Sequence, residues 1–540
     1  MLRITELRLP LTHADDALRP AVLVRLGVPE GALRSFTVFR RAYDARRKSA
    51  VQLIYTVDCE LEDESAVLAR HAGDPHVRPA PDTTYRPVAQ APADFKASGR
   101  LRPVVVGFGP CGLFAALVLA QMGLAPIVLE RGKDVRQRTK DTWGLWRKSV
   151  LNPESNVQFG EGGAGTFSDG KLYSQIKDPK FLGRKVLHEF VKAGAPEEIL
   201  YVSKPHIGTF RLTGMVENMR EQIRELGGEV RFQERVSDVL IEDGQLVGVQ
   251  LASGETLHSR HVVLALGHSA RDTFRMLHSR GVFMEAKPFS VGFRIEHPQS
   301  LIDRARLGKY AGHPKLGAAD YKLVHHAKNG RSVYSFCMCP GGTVVAATSE
   351  PNRVVTNGMS QYSRNERNAN SGIVVGITPE VDYPGGPLAG IELQERLESH
   401  AFILGGSDYK APAQLVGDFI NDIPSTELGE VEPSYKPGVA LGDLSLALPD
   451  FAIEAIREAL PAFEKQIRGY SLHDAVLTGI ETRTSSPLRI TRNETLQSMN
   501  VKGLFPAGEG AGYAGGILSA GVDGIRIAEA VARDILGLKA

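Results

Sequence analysis

Arg102-Pro103-Val104-Val105-Val106-Gly107-Phe108-Gly109-Pro110-Cys111-Gly112 is the stretch on which the fold turns. Three valines after a proline read as a short buried parallel strand. Gly107-x-Gly109-x-x-Gly112 falls where that strand must turn into the apolar helical run at residues 113–122. The three glycines serve different ends. Gly107 permits the tight turn, Gly109 lets a pyrophosphate approach the backbone, and Gly112 lets the helix pack close to the strand. The helix N-terminus offers free N–H groups and partial positive charge to phosphates. Ala125-Pro126-Ile127-Val128-Leu129-Glu130 follows as a second strand, ending in an acid about 20 residues on, where a ribose hydroxyl needs an acceptor. The stretch has the context of a dinucleotide-binding unit.

With 540 residues the chain has room for two or three domains, each with its own core. Its 42% hydrophobic and 23% charged content is that of a soluble globular protein. A net charge of +2 gives no overall attraction to nucleic acid or to an anionic membrane, so partners must be argued locally. Four cysteines, Cys59, Cys111, Cys337 and Cys339, are too few and too unevenly placed for a disulfide framework, which suits a reducing compartment. Cys337-Met338-Cys339 lies in an alternating, strand-like run that puts both thiols on one face with no second ligand pair nearby, so small core residues are expected there and no metal. The N-terminus begins like a strand, without a basic-then-apolar signal pattern, and no run approaches the roughly 20 apolar residues of a membrane helix. A cytoplasmic protein without a membrane partner is expected.

Residues 1–95 read as a small α+β unit, with strands at 3–9, 35–40 and 51–61 and helices at 15–26 and 64–71. Its basic loop, with Arg40, Arg41, Tyr43, Arg46 and Arg47, faces a run holding Asp58, Glu60 and Glu62, which reads as a polarised surface more than an RNA-binding arm. A linker rich in Pro and Ala covers residues 78–93. Beyond a basic amphipathic segment at 134–148 come five glycines from Gly160 to Gly170, a loop where something flat or charged passes close to the backbone. Helices are expected at 179–193 and 212–226. A four-strand meander is expected at 229–233, 236–242, 246–251 and 255–259, then a parallel strand at 261–267. Residues 281–470 alternate at strand spacing, as a second, mostly antiparallel sheet would. Residues 504–510 form another strand and glycine turn, and Gly512-Tyr513-Ala514-Gly515-Gly516-Ile517 opens a long helix at 518–535, a second electropositive platform.

The turn at residue 107, the glycine loop at 163, the strand end at 265–267 and Gly508-Glu509-Gly510 together resemble the FAD-binding fold of the glutathione-reductase superfamily, in the arrangement where a substrate domain interrupts the FAD domain. More closely, residues 159–172, Asn368-Ala369-Asn370-Ser371, Gly479-Ile480-Glu481-Thr482-Arg483-Thr484-Ser485-Ser486-Pro487 and residues 505–517 resemble a family of FAD-dependent dehydrogenases of unassigned substrate. The likeness extends to Asp44-Ala45-Arg46-Arg47-Lys48 and so to nearly the whole chain. It implies an α/β architecture: a glutathione-reductase-like Rossmann-type FAD-binding domain over residues 96–280 and 471–540, an intervening antiparallel α+β substrate domain at 281–470, and an N-terminal α+β accessory domain at 1–95.

The same resemblance implies the cofactor contacts. Gly107, Gly109, Pro110, Cys111 and Gly112 would wrap the pyrophosphate, and Glu130 would take the adenosine ribose with Arg131 beside it. Val236 would meet the adenine and Gly267 would close the strand near the adenosine half. Gly163, Ala164, Gly165 and Thr166 would run along the isoalloxazine. Gly508 and Glu509 would reach the ribityl chain, with Glu509 standing where the superfamily more often has Asp. Gly515, Gly516 and Ile517 would set a helix N-terminus at the flavin N1/C2 carbonyl edge, where negative charge develops on reduction.

Only one dinucleotide fingerprint is visible: Gly385-Gly386 and Gly405-Gly406 lack both the spacing and a preceding strand, and no Cys-x-x-Cys or Cys-x4-Cys pair accompanies the flavin motifs. A disulfide reductase is therefore disfavoured. What remains is hydride transfer between a non-covalently bound flavin and an organic small molecule, with NAD(P)H as a transient reductant. Glu481 and Arg483 are candidates to orient an anionic substrate, and Asp169, Lys171 and His206 to move protons. Each is also read as a partner in an ion pair or hydrogen bond that holds its loop. Two rival readings are an RNA-associated, tRNA-modifying flavoprotein docking through Arg40, Arg41, Arg46 and Arg47, and a scaffold in which FAD is only structural.

Overall fold

The computed structural model describes residues 1–538. The N-terminal unit is a four-stranded antiparallel sheet, made of Leu2–Pro10, Leu33–Asp44, Gln52–Leu61 and Val77–Pro79, with the third strand between the second and the first, and the fourth on the outer edge. Strand alternation builds its core: Leu53, Tyr55, Val57, Cys59 and Leu61 all point inward from Gln52–Leu61. The helices Leu18–Leu26 and Glu64–Arg70 accompany this sheet, the latter capped by the Asp63 carboxylate, which accepts from the Ala66 N–H. The first helix begins three residues later than the expected start at residue 15, and the edge strand Val77–Pro79 begins what sequence composition marks as linker.

Five parallel strands form the second sheet, in the order Leu504–Pro506, Val262–Leu264, Val104–Val106, Ile127–Glu130, Glu229–Phe232. Glu229–Phe232 pairs in parallel with Ile127–Glu130, and so leaves the expected meander with three strands: Val236–Glu242, Gln245–Leu251 and Thr256–His258. The helix Pro110–Gln121 starts at the glycine turn, and nearly all its side chains are buried. It is hydrophobic all round because the sheet covers one side and the C-terminal helix Ile517–Leu536 the other. Gly524 makes that second contact possible: a Cβ there would run into the Cys111 carbonyl and sit 3.1 Å from the Ala115 nitrogen.

The remaining chain forms a large, mostly antiparallel sheet whose centre is Ser332–Ala346, Asn368–Ile377, Phe289–Pro298 and Val476–Glu481 in that order, extended on one side by Ala411–Leu415. Asn368–Ile377 is buried along most of its length, between neighbours on both sides. Val476–Glu481 pairs with Phe289–Pro298 and Ala411–Leu415, so the antiparallel unit runs past residue 470 and the return to the parallel-sheet unit comes after Glu481, not at residue 471. Among the described residues no helix is long and apolar enough to cross a membrane.

The helix pair sets a first prediction. Gly524→Val lowers the unfolding free energy by about 3 kcal/mol, at the upper end of overpacking penalties, and moves the urea midpoint down; a midpoint equal to the parent's would show that the two helices part freely.

Candidate functional site

The parallel sheet, the glycine loop, the C-terminal helix and the antiparallel sheet meet at one cleft of about 370 Å³. Of the residues singled out for FAD, Gly107, Gly109, Pro110, Cys111, Glu130, Arg131, Gly163, Ala164, Gly165, Val236, Gly267, Glu509, Gly515, Gly516 and Ile517 line it. Three do not. Gly112 presses on the turn instead, where a Cβ would strike the Gly107 carbonyl. Thr166 is buried beneath the loop, its hydroxyl 3.4 Å from the Glu161 carbonyl. Gly508 supports the floor, donating its N–H to Asp523 Oδ2 at 2.8 Å with Cys111 packed against it.

Glu130 does more than wait for a ribose. Its buried carboxylate accepts the N–H of Phe108 at 2.9 Å, of Gly132 at 2.8 Å and of Gly160 at 2.9 Å, joining the phosphate turn, the end of its own strand and the start of the glycine loop. A carboxylate has about four acceptor positions, so one remains for a hydroxyl. Beside it the buried Arg138 guanidinium donates to the carbonyls of Asn156 (2.8 Å), Val157 (2.7 Å) and Glu161 (2.7 Å), pinning the loop from below. Burial pushes Arg138 down to about 10, which leaves it charged at neutral pH. Arg131, at the rim of the cleft, donates to Glu154 at 3.0 Å and Asp272 at 2.8 Å while lying 4.0 Å over the Phe159 ring.

The polar donors suit FAD. Among the described residues the N–H groups of Cys111 and Gly112 have no acceptor, as expected for the first turn of a helix. At the second helix the N–H groups of Gly515 and Gly516 are taken by the Ser519 hydroxyl at 3.2 and 3.1 Å, leaving those of Ile517 and Leu518 for a ligand. Gly163 touches Gly109 so closely that a Cβ on it would come within 2.7 Å of the Gly109 Cα. Glu509 is half-buried at the cleft wall, and desolvation, opposed by nearby Lys287, pushes its carboxyl up to about 7.

The proposed catalytic residues separate. Arg483 lines the cleft but is locked into a buried network: it donates to Glu398 (2.9 Å), Ser269 (3.0 Å) and Ser349 (2.7 Å), while Arg271 holds the other side of Glu398 at 2.7 Å. Glu481 lies outside the cleft lining, paired with Arg294 at 2.9 Å. Both side chains are engaged: Glu481 ties two strands within the antiparallel sheet, and Arg483 fastens that sheet to the segments holding Ser269, Ser349 and Glu398. Asp169 and Lys171 do line the cleft. Burial works against the Asp169 carboxylate, yet Arg364, bound at 2.9 Å, and Lys171 outweigh it and keep its pKa below the ordinary value. Lys171 donates to the Met338 carbonyl. His206 is absent from this cleft: it stacks on Tyr362 at 5.3 Å, and burial pushes it down to about 4.

Sequence reasoning missed Cys337. The strand Ser332–Ala346 is irregular between Phe336 and Cys339, and Cys337 takes a left-handed φ of 44°. The alternation that would put both thiols in the core is broken. Cys339 stays buried, whereas Cys337 is half-buried and lines the cleft with Phe336 and Asn357. Hydrogen bonding from Cys339 depresses the Cys337 thiol below its usual range; burial opposes this, and Lys171 and Arg294 reinforce it. The following Pro340-Gly341-Gly342 was the one local sign that this strand would not be regular.

The chain matches the family profile described as "FAD-dependent protein, C-terminal domain-like" over residues 288–484, and a domain of unknown function over residues 1–60. It is 48% identical over 530 residues to an uncharacterized protein of Clostridium beijerinckii, covering 98% of each chain. The chain belongs to this family of FAD-dependent proteins. It is also 26% identical over 211 residues to the FixC protein of Salmonella typhi, 37% of this chain and 44% of that one. Among solved structures it is similar to an L-amino acid deaminase from Proteus vulgaris, at 12% identity and a TM-score of 0.36, with 84% of this chain and 96% of that one covered. The family profile ends at residue 484, just past the strand Val476–Glu481 that completes the antiparallel sheet.

Two outcomes are expected at this site. Glu130→Gln replaces one acceptor oxygen by a donor facing backbone N–H groups, at about 1–3 kcal/mol for each one left unsatisfied; FAD affinity, read by fluorescence titration of the apoprotein, falls about tenfold or more. Brief iodoacetamide treatment of the folded protein followed by peptide mass spectrometry labels Cys337 ahead of Cys59, Cys111 and Cys339, and bound FAD slows the labelling. Equal labelling of all four would contradict the placement of Cys337.

Proposed function

We propose that the protein is an FAD-dependent oxidoreductase in which a substrate reaches the flavin from the side of the antiparallel sheet. The observation that carries the reading is the convergence on one cleft of two helix N-termini, the glycine loop and a wall from the antiparallel sheet bearing Phe336, Cys337 and Asn357. Bound there, FAD would supply hydride transfer, the chemistry common to flavins. The chain supplies binding, orientation and charge. The N–H groups of Cys111 and Gly112 face one electronegative region, and those of Ile517 and Leu518 another. Nearby Cys337 heads the influences that raise the Lys171 pKa, outweighing the effect of burial, so Lys171 keeps a positive charge in the cleft at neutral pH. It therefore stabilises negative charge and does not accept a proton. Asp169, held as a carboxylate by Arg364, fixes the other side of Lys171 at 3.8 Å.

The electron donor is proposed to be NAD(P)H visiting the substrate face, because a single five-stranded parallel sheet is present among the described residues and it serves the FAD cleft. A small organic molecule is the proposed partner. The deciding experiment is the absorbance spectrum of the purified protein, followed by anaerobic addition of NADH and NADPH. Flavin bands that bleach with either are the expected result. Bands that bleach only with dithionite would favour FAD as a structural element, and a colourless protein that FAD does not reconstitute would remove the proposal.

A further inference from the structure

The N-terminal unit closes a second cavity of about 880 Å³ against the rest of the molecule. Its strand Leu33–Asp44 is stitched to the FAD unit: the Arg41 N–H donates to the Tyr201 carbonyl at 2.6 Å and the Ser203 N–H to the Arg41 carbonyl at 2.9 Å. The strand's last residues then turn into the cavity, facing segments around residues 204, 306–320 and 362–364.

The lining is basic and unevenly neutralised. Among the described residues the Arg41 and Lys48 side chains have no acceptor, and Arg306 reaches only the Asp320 carbonyl, at 3.2 Å. The acids present are largely engaged: Asp320 with Lys204 at 2.7 Å, Asp44 with Arg46 at 2.9 Å, and Glu198 with the Tyr362 hydroxyl. The Tyr43 phenol is unbonded and faces the cavity; burial, with Asp320 nearby, pushes it up to about 12, so it is a hydrogen-bond donor at any ordinary pH. Like charges gathered in a half-enclosed space repel one another, and low-dielectric walls focus their field outward. A small anion relieves both.

The cavity is also joined to the chemistry. Tyr173 lines it and the flavin cleft alike. Lys171, two residues earlier and in the cleft, is bridged through the backbone to His206, which lines the second cavity. Arg364 lines the second cavity while binding Asp169 of the cleft.

We infer that this chamber binds an anionic small molecule, bearing carboxylate or phosphate, through Arg41, Lys48, Arg306 and the Tyr43 hydroxyl, and that the N-terminal unit is the substrate-gathering part of the enzyme. The inference deepens the oxidoreductase reading and rests on it for the fate of the bound molecule, not for its binding. A volume of 880 Å³ lies within the range of ligand sites, about 300–1,000 Å³, and the basic hairpin of the sequence thereby faces a small-molecule chamber.

Isothermal titration of the full-length, FAD-loaded protein at low ionic strength tests it, with citrate as the carboxylate probe and inorganic pyrophosphate as the phosphate probe. At least one binds at a single saturable site, more weakly as salt rises, and at least tenfold more weakly in both Arg41→Ala and Arg306→Ala. The exposed Arg468→Ala binds like the parent, and circular dichroism of each variant confirms folding. Citrate alone binding identifies carboxylic acids as the class, pyrophosphate alone phosphate esters. No saturable binding of either probe, or full binding by folded Arg41→Ala and Arg306→Ala, overturns the inference. Saturable, Arg41-dependent binding by protein that holds no FAD would uphold the chamber while the oxidoreductase reading falls.

Discussion

One buried carboxylate governs the site. Glu130 gathers three backbone N–H groups, from the phosphate turn, from its own strand end and from the first residue of the glycine loop. A peptide N–H buried without a partner costs about 1–3 kcal/mol, so these segments stay together only while the carboxylate is there. Arg138, directly below, does the same for the loop's carbonyls. The opposite charges of the two side chains compensate each other's burial, and Glu130 is foremost in opposing the effect of burial on Arg138. The loop that has too many glycines to fold alone is therefore held by side chains from its neighbours.

A similar device fastens the antiparallel sheet to the cleft. Glu398 sits between Arg271 of the FAD unit and Arg483 of the strand-to-loop junction, and Arg294 pairs with Glu481 within the sheet. Removing one partner from such a buried network is far more damaging than replacing the whole by apolar groups. These residues are thus the frame of the site. Besides this frame the cleft is lined by Lys171, with Asp169 at 3.8 Å, and by Cys337, set there by an irregular strand.

The N-terminal unit enters this picture as a wall. Its backbone bonds to Tyr201 and Ser203 fix the orientation of Leu33–Asp44, and the cations of that hairpin face a chamber adjoining the cleft. Arg46, which reads in sequence as part of a basic arm, is mostly occupied with Asp44 two residues away. Positive charge is therefore presented by Arg41, Lys48 and Arg306, which come from two distant parts of the chain.

The sequence by itself determined most of the parallel-sheet unit, because its turns and the strands and helices beside them are local patterns. Three valines followed by spaced glycines can only turn and enter a helix, and Ile127–Glu130 and Ile517–Leu536 lie within a residue or two of where their composition sets them. It likewise fixed most of the cleft lining, since those glycines and strand ends share a cleft in any fold that pairs these strands in parallel. What only the tertiary structure decided were relations between segments far apart. Glu229–Phe232 joins the parallel sheet and Val476–Glu481 the antiparallel one because of their neighbours, not their own alternation. The sequence offers Glu481 and Arg483 either as substrate-orienting groups or as ion-pair partners, and it cannot name those partners, Arg294 and Glu398, which lie 187 and 85 residues away. Cys337 reaches the cleft through a break in strand pairing, and the basic chamber exists only where two units meet. Such features depend on which surfaces are brought together, and no local periodicity records that.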